Sequence, residues 1–233
     1  MLKDETLKLL EGRNIDFVDV YSVCAGKVYL YQKRLMNYFG NYERWDTDVT
    51  KGELVLDGSR VFDVEYIGTT LDGDPYWYSA ELEEVIPDEF VKMMVKVRET
   101  LTGLNLTDLA QGRILLEGDV IAHNLAKIYT AFAPEDVCYF KGSGKASIYM
   151  FVKGLPPEIY SEITPLEFTT VIMDTVKNTT ADGKLLVLST LIENNIDYEE
   201  TDNEVKATFK GNVVLTIKFD DKNRITGIEG NLN

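Results

Sequence analysis

The fold of the first half of this chain is decided by residues 44 to 80, RWDTDVTKGELVLDGSRVFDVEYIGTTLDGDPYWYSA. The pair Asp57-Gly58 separates two segments of alternating apolar and polar residues, Glu53 to Leu56 and Arg60 to Ile67, and such a pair is a hairpin signal. A second turn at Asp72 to Pro75 leads into the aromatic segment Tyr76 to Ala80. The stretch therefore predicts a β-meander.

Outward from the meander, apolar residues recur at helical spacing. They predict a helix from Cys24 that ends before Gly40, a second helix after Pro87 and a third after Gly118. Two further strands, joined by the turn at Gly142 to Gly144, are expected to join the meander's sheet. We therefore predict that residues 1–155 form an α+β domain in which helices pack on an antiparallel sheet.

A second unit is predicted after the segment Gly154-Leu155-Pro156-Pro157, because paired prolines cannot continue a helix or a central strand. Thr164-Pro165-Leu166-Glu167 has the pattern of a capping box with proline at the first helical position. A second helix after Asp182-Gly183 and four strands joined by short turns follow it. Residues 158–233 are thus expected to form a unit of order α-α-β-β-β-β.

The composition restricts the classes of partner. The formal net charge is −15 and the isoelectric point is about 4.5. Such a surface repels phosphate backbones and anionic lipid, so we predict that the protein binds neither nucleic acid nor membrane. A basic protein is the partner that this charge would attract. The sequence leaves the oligomeric state open.

The sequence also indicates a compartment. The N-terminal residues mix acidic and basic side chains and lack the apolar core of a secretory signal, so a cytoplasmic location is expected. Cys24 and Cys138 lie far apart on apolar stripes, which predicts buried structural thiols in a reducing compartment.

Few residues suggest catalysis. His123 is the only histidine, which excludes a histidine-dependent triad or a two-histidine metal site within one chain, and we expect it at the solvated surface. Gly142-Ser143-Gly144-Lys145 resembles part of a phosphate loop, but it lies between two strands and is better explained as a hairpin turn. We therefore predict no cofactor, no metal and no catalytic residue.

The acidic and aromatic residues of the meander are the best candidates for a binding surface. Asp46 and Asp48, like Asp72 and Asp74, are spaced so that both carboxylates project to one face of a strand, as a cation or sugar site requires; tight turns show the same pattern. The aromatic residues either staple the core or form a partly exposed patch. The candidate surface comprises Trp45, Asp46, Asp48, Tyr76, Trp77 and Tyr78.

These residues also carry a resemblance. Residues 40–153 resemble an uncharacterised bacterial family, a domain of unknown function with a W-x-x-D turn, two characteristic strands and a tryptophan-rich strand. The matching segments are Trp45 to Asp48, Gly52 to Leu56, Val64 to Gly68 and Tyr76 to Tyr78. The family tends to have several alternating tryptophans in the last of these strands, whereas this chain has one, flanked by tyrosines. The resemblance implies a fold and a bacterial origin, and it implies no catalytic residue.

The sequence thus favours a non-catalytic cytosolic module that binds a basic partner. The alternative is a carboxylate-based acid-base hydrolase or carbohydrate-active protein, which would need a pocket holding a carboxylate pair with a raised pKa.

Overall fold

The computed structural model describes residues 1–230 and divides them into two compact units. The first unit comprises Met1 and Tyr31–Tyr160, and the second comprises Leu2–Leu30 and the chain from Ser161 onward. In each unit α-helices accompany an antiparallel β-sheet, which confirms the predicted α+β fold.

The first unit contains a seven-stranded antiparallel sheet. Its strands are β1 (Trp45–Asp48), β2 (Glu53–Leu56), β3 (Arg60–Leu71), β4 (Tyr76–Ser79), β5 (Arg113–Leu115), β6 (Cys138–Ser143) and β7 (Ala146–Val152). Its helices are α3 (Lys92–Gly103), α4 (Ala122–Phe132) and the C-terminal part of α2 (Phe17–Phe39). The predicted meander and the hairpin of β6 with β7 are confirmed.

Strand β3 organises this sheet because it pairs with three others. Its first residues pair with β2, its last residues pair with β4, and β7 pairs along most of its length. A register shift between Tyr66 and Gly68 interrupts the pairing with β7. The buried Glu65 accepts a hydrogen bond from the backbone N–H of Met93 at the start of α3 (2.7 Å) and pairs with Lys153 (3.0 Å). This carboxylate therefore satisfies a backbone donor that a helix start leaves without an intrahelical partner.

The exposed edge of the sheet at β6 is closed by a side chain. Gln32 of α2 donates a hydrogen bond from Nε2 to the carbonyl oxygen of Tyr139 (2.8 Å), and its Oε1 accepts one from the N–H of Tyr139 (2.9 Å). The amide thus pairs with the strand as a neighbouring backbone would, which protects an edge otherwise open to pairing.

The second unit contains a four-stranded antiparallel sheet of order β11-β10-β9-β8. Its strands are β8 (Asp197–Glu200), β9 (Glu204–Phe209), β10 (Val213–Phe219) and β11 (Ile225–Gly230), and its helices are α1 (Asp4–Lys8), the first part of α2, α5 (Pro165–Asn178) and α6 (Gly183–Glu193). Both hydrogen bonds of the capping box at the start of α5 are present: the Thr164 side chain accepts from the backbone N–H of Glu167, and the Glu167 side chain accepts from the backbone N–H of Thr164. After residue 158 the described chain has two α-helices followed by four strands.

The division of the chain differs from the predicted one at the N-terminus. Residues 2–30 belong with the C-terminal segment, not with the unit that was expected to span residues 1–155. The reason is a set of specific contacts. The backbone N–H of Lys3 and the hydroxyl of Thr6 both donate to Glu193 of α6, at 2.8 and 2.5 Å. A Cβ atom on Gly26 would collide with Thr190, so glycine allows α2 and α6 to approach closely. The C-terminal boundary, after Tyr160, lies near the predicted linker.

Candidate functional site

Trp77 lies in the core of the first unit and not on its surface. Its side chain is 0% exposed, and its ring packs against Tyr129 and Tyr149 at centroid distances of 5.7 and 5.1 Å. The ring also lies over Gly68, where a Cβ atom would come within 2.4 Å of it. This burial corrects the inclusion of Trp77 in a binding surface, because successive residues of a strand point to opposite faces and Trp77 takes the helix-covered one.

Trp45 is half-buried. Its ring lies against Phe140, with centroids 5.9 Å apart, and covers the backbone of Gly142. Thr47, two residues further on the same face of β1, donates a hydrogen bond to the carbonyl oxygen of Glu53 (2.8 Å) and shares another with the hydroxyl of Tyr66 (2.6 Å). This side of β1 therefore faces the core.

Asp46 and Asp48 point to the opposite side of β1 from Trp45. Asp46 accepts a hydrogen bond from the N–H of Thr47 (2.8 Å), and Asp48 accepts from the N–H and hydroxyl of Thr50 (3.0 and 2.7 Å). The hydrogen bond from the Thr50 hydroxyl, and then the one from Lys51, lower the pKa of Asp48. Both carboxylates thus accept hydrogen bonds from residues that follow them closely in the sequence.

Register extends this side of β1 into an acidic face. Asp48 is paired directly with Glu53, and Glu53 is paired directly with Asp63, so three carboxylates form one row across three strands. Directly paired residues lie about 5 Å apart at their Cβ atoms and share a face. The acidic face consists of Asp46, Asp48, Glu53, Val55, Val61 and Asp63.

The charge of the acidic face is only partly compensated. Lys51 pairs with Asp48 at 3.1 Å, and the pKa of Lys51 is raised by Asp48 first and by Glu53 second. Lys51 thus offsets part of the negative charge at the Asp48 end of the row. In the neighbouring row, Val61 is 54% exposed. The acidic face therefore places an exposed apolar side chain beside a row of carboxylates.

Tyr76 and Tyr78 form a second, separate surface on the outer side of β4. The guanidinium of Arg113 lies over both rings, 3.6 Å from the centroid of Tyr76 and 5.6 Å from that of Tyr78. The hydroxyl of Tyr78 donates to Asp74 (2.9 Å), which raises the pKa of Tyr78. With the exposed Leu71 and Leu115 beside them, these residues constitute the tyrosine face: Leu71, Tyr76, Tyr78, Arg113 and Leu115. Tyr76 and Tyr78 are thus partly exposed, whereas Trp77 between them is buried.

The described residues contain no group of three or more His, Cys, Asp or Glu side chains arranged to hold a metal ion. Hydrogen bonds stabilise the ionised forms of Asp48, Asp57 and Asp220 and so lower the pKa of each of these carboxyl groups. A general acid would need the opposite shift. The hydrolase alternative therefore gains no support from these groups.

The two thiols are buried, as predicted. Burial raises the pKa of Cys138 to about 12, and burial raises the pKa of Cys24 well above its usual range. Since the thiolate is the nucleophile, neither sulfur is activated.

His123 lies at the surface, as predicted, but its ring is partly covered by neighbouring side chains. Its Nδ1 lies 3.0 Å from the hydroxyl of Tyr139, and its ring meets Tyr149 edge-on at 5.8 Å. Sequence reasoning missed this cluster because its members come from α4, β6 and β7. The helical spacing of His123 and Lys127 was the only local signal.

These features define an α+β module built on a seven-stranded antiparallel sheet. The model of the family of unknown function DUF6882 matches residues 18–155, and the chain belongs to that family. The match confirms the resemblance inferred from residues 40–153 and extends it to include nearly all of α2. No curated protein and no solved structure matches the chain. Within residues 1–230, none of the helices combines the length and apolar character that a membrane crossing requires.

Proposed function

We propose that this protein is a non-catalytic binding module of the bacterial cytoplasm, and that its acidic face docks a basic protein. The observation that carries the proposal is the row of Asp48, Glu53 and Asp63, which are directly opposite one another on adjacent strands. Like charges in directly opposite positions destabilise a sheet. The row therefore costs the sheet some stability unless opposite charge approaches it.

A basic partner would relieve the repulsion within the row. Lysine or arginine side chains that approach Glu53 and Asp63 gain Coulomb attraction and remove the uncompensated charge at the same time. The net charge of −15 adds long-range attraction, which raises the association rate. The exposed Val61 supplies an apolar contact beside the charges. Such an interface has a charge-selective rim around an apolar contact.

The tyrosine face is less suited to the same partner. Arg113 covers the ring of Tyr76 at 3.6 Å and adds a positive charge, which repels a basic surface. Aromatic and arginine side chains are common hot spots of interfaces, so this face is the natural competitor in any mapping experiment.

A comparison of charge-neutralised variants tests the proposal. The double variant Glu53→Gln/Asp63→Asn removes two charges from the acidic face and leaves the turn at Asp48 intact. The matched control, Asp197→Asn/Glu199→Gln, removes the same two charges from one side of the edge strand β8 of the four-stranded sheet. Each tagged protein is used to capture partners from the native lysate at low salt, followed by elution with increasing salt.

We expect the wild-type protein and the control to retain the same basic protein and to release it as the salt concentration rises, because salt screens exposed charges. The double variant should lose it. Equal retention by both variants, or a partner whose binding is independent of salt, would contradict the electrostatic proposal.

A further inference from the structure

The outer edge of β5 is open to pairing with a further strand. Among the described strands, β5 ends the order β1-β2-β3-β4-β5 and pairs with β4 alone. The N–H of Leu116 donates to the carbonyl oxygen of Pro75 next to β4 (2.7 Å), so this pair is hydrogen-bonded. Hydrogen-bonded and non-hydrogen-bonded pairs alternate along an antiparallel ladder. The backbone N–H and C=O groups of Leu115 and Arg113 therefore point away from β4.

Three other strand edges carry a protection that β5 lacks. The edge of β6 is occupied by the side-chain amide of Gln32. Strand β1 carries two carboxylates in four residues, and β8 carries three. Self-association at either edge would bring like charges together, which destabilises a sheet. Strand β5 instead carries one positive charge and is followed by Leu116 and Glu117.

The sequence of this edge is complementary to itself. The edge segment, residues 113–117, reads Arg-Ile-Leu-Leu-Glu, with opposite charges at its ends and three apolar residues between them. If two copies pair antiparallel about Leu115, Arg113 of each copy lies directly opposite Glu117 of the other. Leu115, which is 40% exposed, then lies opposite its own equivalent. The outward-pointing backbone groups of Arg113 and Leu115 meet the second copy in the same register, so hydrogen bonds and ion pairs form together.

The charged side chains of the edge segment are available for such a contact. Among the residues that the structure describes, neither Arg113 nor Glu117 forms an ion pair. Arg113 is already held on the face that it shares with Leu115, since its guanidinium lies 3.6 Å from the ring centroid of Tyr76. Its charge also selects the register, because a pair centred on Arg113 would oppose the two guanidinium groups.

We propose that the edge segment pairs with the same segment of a second copy of this chain, so that the protein forms a homodimer. The contact is isologous, with the same residues on both sides of a two-fold axis at Leu115. It joins the two seven-stranded sheets edge to edge and brings the two tyrosine faces side by side. The edge segment is short, so we expect a dimer that dissociates on dilution.

Sedimentation equilibrium of the full chain over a wide range of concentration tests the proposal. The ionic strength is held at about 0.15 M, where repulsion between the two acidic molecules is screened beyond about 8 Å. We expect the apparent mass of the wild-type protein to rise from that of a monomer toward that of a dimer. Glu117→Arg opposes two arginines and should remain monomeric. Arg113→Glu opposes two glutamates and should also remain monomeric.

A mixture of these two variants is the decisive sample. Each glutamate of Arg113→Glu then faces an arginine of Glu117→Arg, so the mixture should dimerise although neither variant does so alone. The matched control, Glu135→Arg, makes the same change of charge in the exposed turn before β6 and should dimerise like the wild-type protein.

Cross-linking tests the register and does not depend on the charge variants. Directly opposite residues of a hydrogen-bonded pair have Cα atoms about 5.5 Å apart, a separation that a disulfide can bridge. Leu115→Cys should therefore form a disulfide-linked dimer on mild oxidation. Leu71→Cys is the control, because Leu71 is also exposed on the tyrosine face but lies on β3, two strands from the edge. The native thiols, Cys24 and Cys138, are buried.

Three results would overturn the proposal. The first is a wild-type protein that stays monomeric at every concentration. The second is a dimer that Glu117→Arg leaves intact, which would assign self-association to another surface. The third is equal cross-linking of Leu115→Cys and Leu71→Cys, since that would indicate random collision. If Arg113→Glu folds poorly without its contact to Tyr76, Glu117→Arg and the cysteine variants still decide the outcome.

Discussion

Replacing Gly68 by alanine should destabilise the first unit, because the new methyl group would have no room. The Cβ atom would lie 2.4 Å from the ring of Trp77 and 2.5 Å from the backbone carbonyl oxygen of Tyr78. Neither can move easily, since Trp77 is 0% exposed and Tyr78 belongs to a paired strand. Overpacking of this kind costs about 1–3 kcal/mol. The lower entropy of the unfolded alanine chain offsets about 0.4–1 kcal/mol of that cost. We expect a net loss of about 1–2 kcal/mol in the free energy of unfolding.

Gly142→Ala is the matched control. Its Cβ atom would lie 2.3 Å from the ring of Trp45, a contact as short as the one at Gly68. The three nearest atoms all belong to that one side chain, which is half-buried and can turn outward. The free energy of unfolding should therefore change by no more than about 0.5 kcal/mol, as is usual for a substitution at the protein surface.

Tryptophan fluorescence during urea unfolding measures both effects. Both tryptophans belong to the first unit, so the signal reports its unfolding and not that of the second unit. The midpoint for Gly68→Ala should fall with an unchanged slope, while that for Gly142→Ala should remain near the wild-type value. If the two variants prove equally stable, the ring of Trp77 is not fixed against Gly68 in the core.

Three further results are expected. Gln32→Ala should cost about 1–3 kcal/mol and speed amide exchange at Tyr139, because the edge of β6 loses both of its side-chain hydrogen bonds; unchanged exchange at that amide would count against edge protection. Thr164→Ala should cost about 1 kcal/mol and speed exchange in the first turn of α5, where Glu167 shares the capping box; an unaffected helix would contradict the role of the cap. The pKa of His123 is lower in the folded state, so its contribution to stability is complete above about pH 6.5 and falls as the pH drops toward the folded-state pKa. His123→Gln should remove this contribution to the pH dependence of the free energy of unfolding, measured with urea. If the free energy of unfolding changes with pH equally in the wild-type protein and the variant, the expectation is refuted.

The elements that sequence reasoning predicted well are those with local signals. The hairpin at Asp57-Gly58 and the capping box at Thr164 each depend on a few adjacent residues. Strand β5 was missed because its three residues have no pattern of their own and become a strand only by pairing with β4. The placement of residues 2–30 was wrong for a similar reason, since contacts such as Thr6 with Glu193 join residues 187 positions apart.

The candidate surface was predicted only in part, because strand alternation separates its members. Tyr76 and Tyr78 point outward while Trp77 points inward, and Asp46 and Asp48 point away from the core-facing Trp45. The sequence shows that side chains on these strands alternate between the two faces of the sheet. Which of the two faces is buried depends on where helices pack, and the row of carboxylates depends on register across three strands.

The most direct test of the proposed function is hydrogen exchange of the protein with and without its captured partner, measured peptide by peptide. The acidic face predicts that binding slows exchange in β1, β2 and the first residues of β3, from Trp45 to Asp63, and that this protection weakens as the salt concentration rises. Protection confined to β4 and β5, at Tyr76 to Tyr78 and Arg113 to Leu115, would assign the partner to the tyrosine face and contradict the proposal.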